Sequence, residues 1–426
     1  MSQRSIATDR AAGVGRRALL RFLLGSPLLL ASRPIRALEQ MLASGCPPGC
    51  VSQARAPIEA AGEAIDVFDF RAVAERNLLP GHYTYLSMGV QHEVTLRANR
   101  SAFERFQLRP RRLVGVREPD TSSEILGTHL SSPILLAPAG SQRAFHPEAE
   151  IAVARAARRK DHVQILSTES SASLDEVALA LGTAPWFQLY TARVWPVTRM
   201  QLRSAEQAGC PAVVLTVDIV AAGANRDRIR RYRRDENPEC RSCHASFLGD
   251  SLRDISSAAG AVGVDLEGWV KNLLVLDWDY VDRIRDATSM KLWIKGILTP
   301  EDAELCVEHG VDGIVVSNHG GRAEDSGLST IEALPEIARA VAGRIPILID
   351  SGFRRGSDVV KALALGASAV CIGRPYLWGL AAFGQQGVEA VLEILRAELA
   401  TTMKQLGIPS LDAVGSAQVR PAAPGS

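Results

Sequence analysis

The stretch Gly313-Ile314-Val315-Val316-Ser317-Asn318-His319-Gly320-Gly321-Arg322 joins an unbroken apolar run to a polar turn. A short run without alternation reads as a strand buried on both faces, the form strands take in a parallel sheet covered by helices. Gly320 and Gly321 free the backbone to take positive φ, so the chain can turn sharply just past the strand. That turn carries an imidazole and a guanidinium, His319 and Arg322. Alone, the motif supports two readings: a base beside an anion clamp, or a strand-to-helix turn with two surface polar groups.

Working outward, similar runs recur at Pro133 to Ala137, Val163 to Leu166, Trp186 to Tyr190, Ala212 to Val217, Lys291 to Lys295, Ile345 to Asp350 and Ala369 to Gly373. Helical patterns lie between them at Pro147 to Arg159, Leu174 to Leu181, Val197 to Ala208, Pro300 to His309, Ile331 to Ala342 and Ser357 to Leu365. Eight strand–helix units predict an α/β fold, a (β/α)8 TIM barrel. An N-terminal helical segment from Phe68 to about Arg100, punctuated by Pro80-Gly81, precedes it. One connection breaks the rhythm: residues 218–290, after the fourth strand, form a long loop or insert with the charged block Arg226 to Arg234. A connection this long reads as a lid or insert, and the arginine run as a solvated helix face. The expected boundaries are a signal or disordered tail at 1–35, a linker at 36–66, the barrel at 67–412 and a disordered tail at 413–426.

Composition narrows the partners. The chain has 426 residues, 46% apolar and 22% charged, and its 48 basic and 47 acidic residues leave a net charge of +1. Such a balance implies no broad basic surface for nucleic acid and favours small-molecule partners. Gly15-Arg16-Arg17, followed by the apolar run through Ala31, has the layout of a twin-arginine export signal. Arg21 interrupts that run and no small-x-small cleavage site precedes Arg33. Two readings follow: periplasmic or envelope-associated, with membrane association through the N-terminus, or cytoplasmic with a basic tail. Cys210, Cys306 and Cys371 fall in apolar patterns and read as inert core thiols. Cys46 with Cys50, and Cys240 with Cys243 before His244, form two close pairs that fit disulfides, zinc, haem attachment or free thiols.

In a barrel, the residues just after each strand line one mouth, where active sites are built. Those positions hold Ala139-Gly140-Ser141, Ser167-Thr168-Glu169, Gln188 to Tyr190, Thr216 to Asp218, Lys295, His319 with Arg322, Asp350 to Arg354, and Gly373-Arg374. Gly352 with Arg354, and Gly373 with Arg374, after strands seven and eight, supply backbone N–H groups and charge where such barrels bind phosphate. A phosphate-bearing cofactor is therefore expected. Lys295 could stabilise negative charge on a cofactor ring or form a Schiff base. Asp218 is placed to orient His319 as a base.

Phe187 to Tyr190, Leu215 to Asp218, Ile294-Lys295-Gly296, Ser317 to Arg322 and Gly373-Arg374-Pro375 resemble the FMN-dependent α-hydroxy-acid oxidases and dehydrogenases, from about Val67 to Asp412. The resemblance implies FMN as cofactor, no metal in the mouth, and oxidation of an (S)-2-hydroxy acid, lactate-like, to the 2-oxo acid. His319 would take the substrate proton while flavin N5 accepts a hydride or its carbanion equivalent. Asp218 would stabilise the imidazolium, Arg322 hold the substrate carboxylate, and Tyr85 and Tyr190 hydrogen-bond the substrate. Lys295 would lie near flavin N1 and O2. Ala137, Ala139, Ser167, Gln188, Thr216, Ser317 and Asp350 would surround the cofactor, with Gly352, Arg354, Gly373 and Arg374 gripping its phosphate. A homo-tetramer is also implied, and O2, a quinone or a cytochrome as electron acceptor.

The chain departs from the pattern in three places. Asn225 stands where the family usually has a second carboxylate-binding arginine, so either Arg226 serves or the carboxylate has one charge partner fewer. Glu169 replaces an aromatic residue, and Gly140-Ser141 an Ala-Met pair. These changes bear on substrate and acceptor more than on the chemistry. The rival reading is a flavin electron-transfer protein with vestigial hydroxy-acid activity and a haem or metal at the cysteine pairs.

Overall fold

The structure is a computed structural model that describes residues 57–191, 195–219 and 276–422. Eight short strands carry the fold: β1 Ile134–Leu136, β2 Ile165–Ser167, β3 Trp186–Leu189, β4 Ala212–Thr216, β5 Lys291–Ile297, β6 Gly313–Val316, β7 Ile347–Ile349 and β8 Ala369–Ile372. Each pairs in parallel with its sequence neighbour, β8 returns to pair with β1, and a parallel bridge between Leu136 and Gln164 joins β1 to β2. The barrel expected from the alternating runs is thus closed.

Side chains along a strand alternate between faces, so residues two apart share one. The inward set Leu135, Ile165, Trp186, Val214, Trp293, Val315, Leu348 and Cys371 forms part of one apolar cluster inside the barrel. Trp186 and Trp293 dominate it, with ring centroids 5.2 Å apart. Gly313 opens β6 because Trp293 needs the space: a Cβ there would lie 2.4 Å from the indole ring. A hairpin of Ser123–Ile125 and Thr128–Leu130 adds Ile125 and Leu130 to the same cluster. Its turn, Leu126-Gly127, takes positive φ at both residues, the geometry that matches strand twist in tight hairpins.

The helices bury their apolar stripes against the outer faces of the strands. Local signals set their ends: Ser173 caps the helix Leu174–Leu181 in a reciprocal capping box with Glu176, and Gly182 ends it at φ 83°. Thr299 caps Pro300–Glu308, with proline in the first turn. The predicted N-terminal helical segment comprises α1 Asp69–Asn77, α2 Pro80–Ser87 and α3 Val94–Ser101. A long helical stretch after β8, Arg374–Leu406, breaks at Phe383-Gly384.

One boundary needs correction. The region 413–426, expected as a disordered tail, is built through Pro421: Val419–Pro421 pairs antiparallel with Phe106–Leu108, and Arg109 N–H donates to Gln418 O at 2.8 Å. Composition suggested a tail because the strand's partner lies far back in the chain. The expectations for Arg226, Asn225, most of the insert, the segment before residue 57 and Cys46, Cys50, Cys240 and Cys243 lie outside the described residues. Cys210, Cys306 and Cys371 are buried and free. Among the described residues, no helix is long and apolar enough to cross a membrane.

Candidate active site

Two residues beyond each inward apolar position, the same strand faces carry Ala137, Ser167, Gln188, Thr216, Lys295, Ser317, Asp350 and Gly373. Pairing sets Ser167 beside Gln188 and Thr216 beside Lys295. Ser167 Oγ donates to Gln188 Oε1 at 2.9 Å, and Gln188 Nε2 donates to Thr216 Oγ1 at 3.0 Å. Lys295, 3% exposed, donates from Nζ to Ser317 Oγ at 2.8 Å and lies 3.3 Å from Asp350 Oδ2 and 4.0 Å from Asp218 Oδ2. Burial alone would lower its proton affinity, but Asp350 and Asp218 outweigh that and hold the ammonium above its ordinary range. Gly296 takes φ 115°, and a Cβ there would lie 2.8 Å from that of Asp218, so only glycine lets β5 pass this carboxylate.

Asp218 lies just after β4 and meets His319, just after β6, with Oδ1 2.8 Å from Nδ1. An ionised carboxylate only accepts, so Nδ1 carries the proton and Nε2 is the acceptor. The Tyr190 hydroxyl is 3.2 Å from Nε2. Burial opposes ionisation of Asp218, yet Lys295 and His319 bring its pKa below the usual value. Burial and Lys295 push His319 below its ordinary 6.5 despite the raising effect of Asp218. The imidazole is therefore neutral at neutral pH. Burial raises Tyr190, keeping its phenol protonated.

The loop after β6 is strained. His319, Gly320 and Gly321 take φ of 57°, 68° and 73° in succession. Left-handed backbone at a non-glycine residue persists when its surroundings hold it. Here Ser317 Oγ accepts from His319 N–H at 3.0 Å, and Ser351 Oγ accepts from Gly320 N–H at 3.0 Å. Arg322 donates from Nη1 to the carbonyls of Tyr85 (2.7 Å) and Met88 (3.1 Å), with its guanidinium 4.6 Å from the Tyr85 ring centroid.

These groups converge on a cleft of about 980 Å³, counting the solvent at its mouth. Tyr85, Ala137, Ala139, Ser167, Tyr190, Lys295, His319, Arg322, Asp350, Gly352, Arg354, Gly373 and Arg374 line it. Gln188, Ser317 and Asp218 stand behind the lining and bond to Ser167, Lys295 and His319, and Thr216 is held in turn by Gln188. At one end Arg354 donates to Phe353 O and stacks over Trp378, while Arg374 donates to the carbonyls of Leu86, Gly320 and Met88. Neither guanidinium makes an ion pair with a carboxylate among the described residues, although Asp358 accepts the backbone N–H of Arg354. Burial and Arg100 push Arg354 down to about 9, and burial with Arg322 and Arg354 pushes Arg374 well below the ordinary value. Clustered guanidinium groups without a carboxylate partner are built to receive an anion.

Comparison with known proteins fits this geometry. The profile of the FMN-dependent dehydrogenase family matches residues 74–421. The chain belongs to that family. It is 38% identical to a peroxisomal (S)-2-hydroxyacid oxidase of Arabidopsis thaliana, over 84% of this chain and 97% of the relative. It is 40% identical to the L-lactate oxidase of Lysinibacillus sphaericus (strain C3-41), over 80% and 89%. Among solved structures, mandelate oxidase superposes with a TM-score of 0.73 at 38% identity, covering 84% of this chain and 98% of that one.

FMN is accordingly the cofactor of this dehydrogenase-family enzyme, and the residues present fit it. The anion-seeking pair Arg354 and Arg374 would hold the phosphate beside Gly352, whose φ of 88° and close seat against Asn99 exclude any side chain. The ring of strand-end polar groups around Lys295 would face the flavin. Sequence reasoning left several site residues unassigned. Ser351, at φ 77°, accepts from Gly320 and donates to Asp350; Phe145 stacks on Tyr85; and Asn99 pairs with Asn318. Ser351 falls within the strand-end stretch Asp350 to Arg354, but nothing in its local sequence assigns it a role. Asn99 carries no local signal at all.

Proposed function

We propose that the protein oxidises an (S)-2-hydroxy acid, lactate-like in size, to the 2-oxo acid, with His319 as the base. The supporting observation is a neutral imidazole at the cleft, fixed through Nδ1 by a buried carboxylate, one turn from Arg322. Arg322 and Tyr85 would hold the substrate carboxylate, and the Tyr190 hydroxyl would orient the substrate oxygen. His319 Nε2 takes the proton, and Asp218 stabilises the imidazolium that forms. FMN, when bound, supplies the acceptor for the two electrons. Lys295, kept charged by Asp350 and Asp218, supplies fixed positive charge beneath the ring of polar groups.

His319→Ala should cut anaerobic flavin reduction by L-lactate, glycolate or (S)-mandelate by roughly 10²–10⁴-fold while FMN stays bound. Undiminished reduction in single turnover would remove His319 from this role. Glu169, exposed at the cleft rim above Gly140, supports a substrate whose distal end differs from that of relatives with an aromatic residue there. A panel of 2-hydroxy acids varied at the distal end reads that preference directly. Arg16-Arg17 supports export, and with it an envelope acceptor such as a quinone or cytochrome in place of O2; cell fractionation and reoxidation kinetics test the two together.

A further inference from the structure

Helix α3 lies outside the barrel, yet its last turn reaches two site loops at once. Asn99 and Asn318 form a reciprocal amide pair, Nδ2 to Oδ1 at 2.8 Å in one direction and 2.7 Å in the other. Both are buried, at 2% and 0% exposure. Asn318 Oδ1 also accepts from Gly321 N–H at 3.1 Å, and Asn318 Nδ2 donates to Leu328 O at 3.0 Å. The amide pair therefore clamps the start and the end of the His319 turn.

The neighbouring residue faces the other loop. Arg100 Nη1 donates to Gly352 O at 2.9 Å and pairs with Asp358, which accepts the N–H groups of Arg354 and Arg355. The Asn99 carbonyl sits where a Gly352 side chain would begin, 1.9 Å from the Cβ position. The helix is itself fastened to the His319 loop. Asp325 accepts from His92 N–H and Thr95 N–H, Thr95 Oγ1 accepts from Gly327 N–H, and Leu96 packs against Gly321 so closely that a Cβ there would lie 2.7 Å away.

We propose that Asn99 is a positioning residue for the reaction: its amide, through Asn318, holds the left-handed turn that presents His319 and Arg322 and links that turn to the Gly352–Arg354 phosphate loop. The proposal rests on His319 as base. A neutral buried side chain suits this task because a carboxylate or ammonium in its place would leave an unpaired charge against the partner amide. Loss of the pair leaves the turn with its serine contacts and the φ strain still to be held.

The test uses the full-length, FMN-loaded enzyme and the variants Asn99→Asp and Asn99→Ala. Asn99→Asp keeps the shape and removes the donor to Asn318 Oδ1; Asn99→Ala removes both bonds. Anaerobic stopped-flow reduction by L-lactate is followed across pH, with circular dichroism as the folding control and FMN retention as a second readout. Misplacement of the base should lower the limiting reduction rate by about ten- to a hundred-fold and weaken FMN retention, with substrate binding weakened as well through the shift of Arg322. The acid limb should move up toward the ordinary histidine value as the imidazole leaves the surroundings of Lys295, Asp218, Arg322 and Tyr190. Folded variants with unchanged rate, acid limb and FMN retention overturn the proposal, and so does failure of both variants to fold, which is what a pair serving stability alone would give. His319→Ala, run alongside, separates the two levels: undiminished reduction there defeats the base assignment, whereas inactive His319→Ala with unaffected Asn99 variants defeats only the role of Asn99.

Discussion

On β5, Trp293 and Lys295 point to the same side of one strand, two residues apart, yet the first lies in an apolar layer with Trp186, Val214 and Leu348 while the second is packed against Ser317, Asp350 and Asp218. Both side chains are almost wholly buried, at 0% and 3% exposure. What differs is the kind of free energy involved. Below, removal of apolar surface from water stabilises the barrel whatever its neighbours do. Above, each charge was taken out of water at a cost that only its partners offset, so a single deletion strands the others. The barrel thus keeps a layer for stability and a layer for chemistry at a separation of two residues along every strand.

The comparison is broken most severely at Lys295. Lys295→Met leaves Asp218 and Asp350 buried without their common cation, and breaking a buried pair in this way costs about 3–5 kcal/mol. Urea denaturation should show that loss, and anaerobic flavin reduction should fall close to background. A stability change under about 1 kcal/mol would mean that the mouth tolerates charge far better than its geometry implies.

Trp293→Phe probes the lower layer with a smaller change. The shorter ring leaves a cavity, but the Trp293 Nε1–H has no hydrogen-bond partner among the described residues, and its removal relieves a buried unpaired donor. The two effects oppose, so the expected destabilisation is about 1–2 kcal/mol, less than a cavity of that size would give alone. Reduction rate and FMN retention should stay within about twofold of the parent. A larger kinetic effect would show that the layers are mechanically coupled.

The same two-residue stride explains how far the site could be read from the chain. Apolar runs that read as barrel strands bring their ends to one mouth, and Ser167, Gln188, Thr216, Lys295, Ser317 and Asp350 stand together there. His319 and Asp218 follow because barrel closure brings the ends of β4 and β6 to one mouth, where Gly296 on the intervening β5 leaves room for the carboxylate to reach across. What stayed illegible has no period to announce it. The Asn99–Asn318 pair depends on where a helix outside the barrel docks, and the pairing of Val419–Pro421 with Phe106–Leu108 depends on chain ends meeting. Arg322 was legible as a clamp, but not that one of its nitrogens is already engaged by two carbonyls.

The finest contrast between the layers is in pH dependence. With His319 as the proposed base, the rate of flavin reduction should be full above the histidine pKa and fall tenfold per pH unit below it. Burial and Lys295 place that pKa under the ordinary 6.5, and the acid limb should lie there. Tyr190 and Lys295 are both shifted upward, so neither should cause a fall on the alkaline side through about pH 10. Asp218 favours the imidazolium. Asp218→Asn should therefore move the acid limb to still lower pH as it reduces the plateau, because an amide no longer stabilises the charged ring. Trp293→Phe should leave the limb where it is, since no charge in the upper layer changes. Stopped-flow reduction profiles of the three proteins decide the matter: an Asp218→Asn limb that stays put or rises would mean that the carboxylate does not set the basicity of His319.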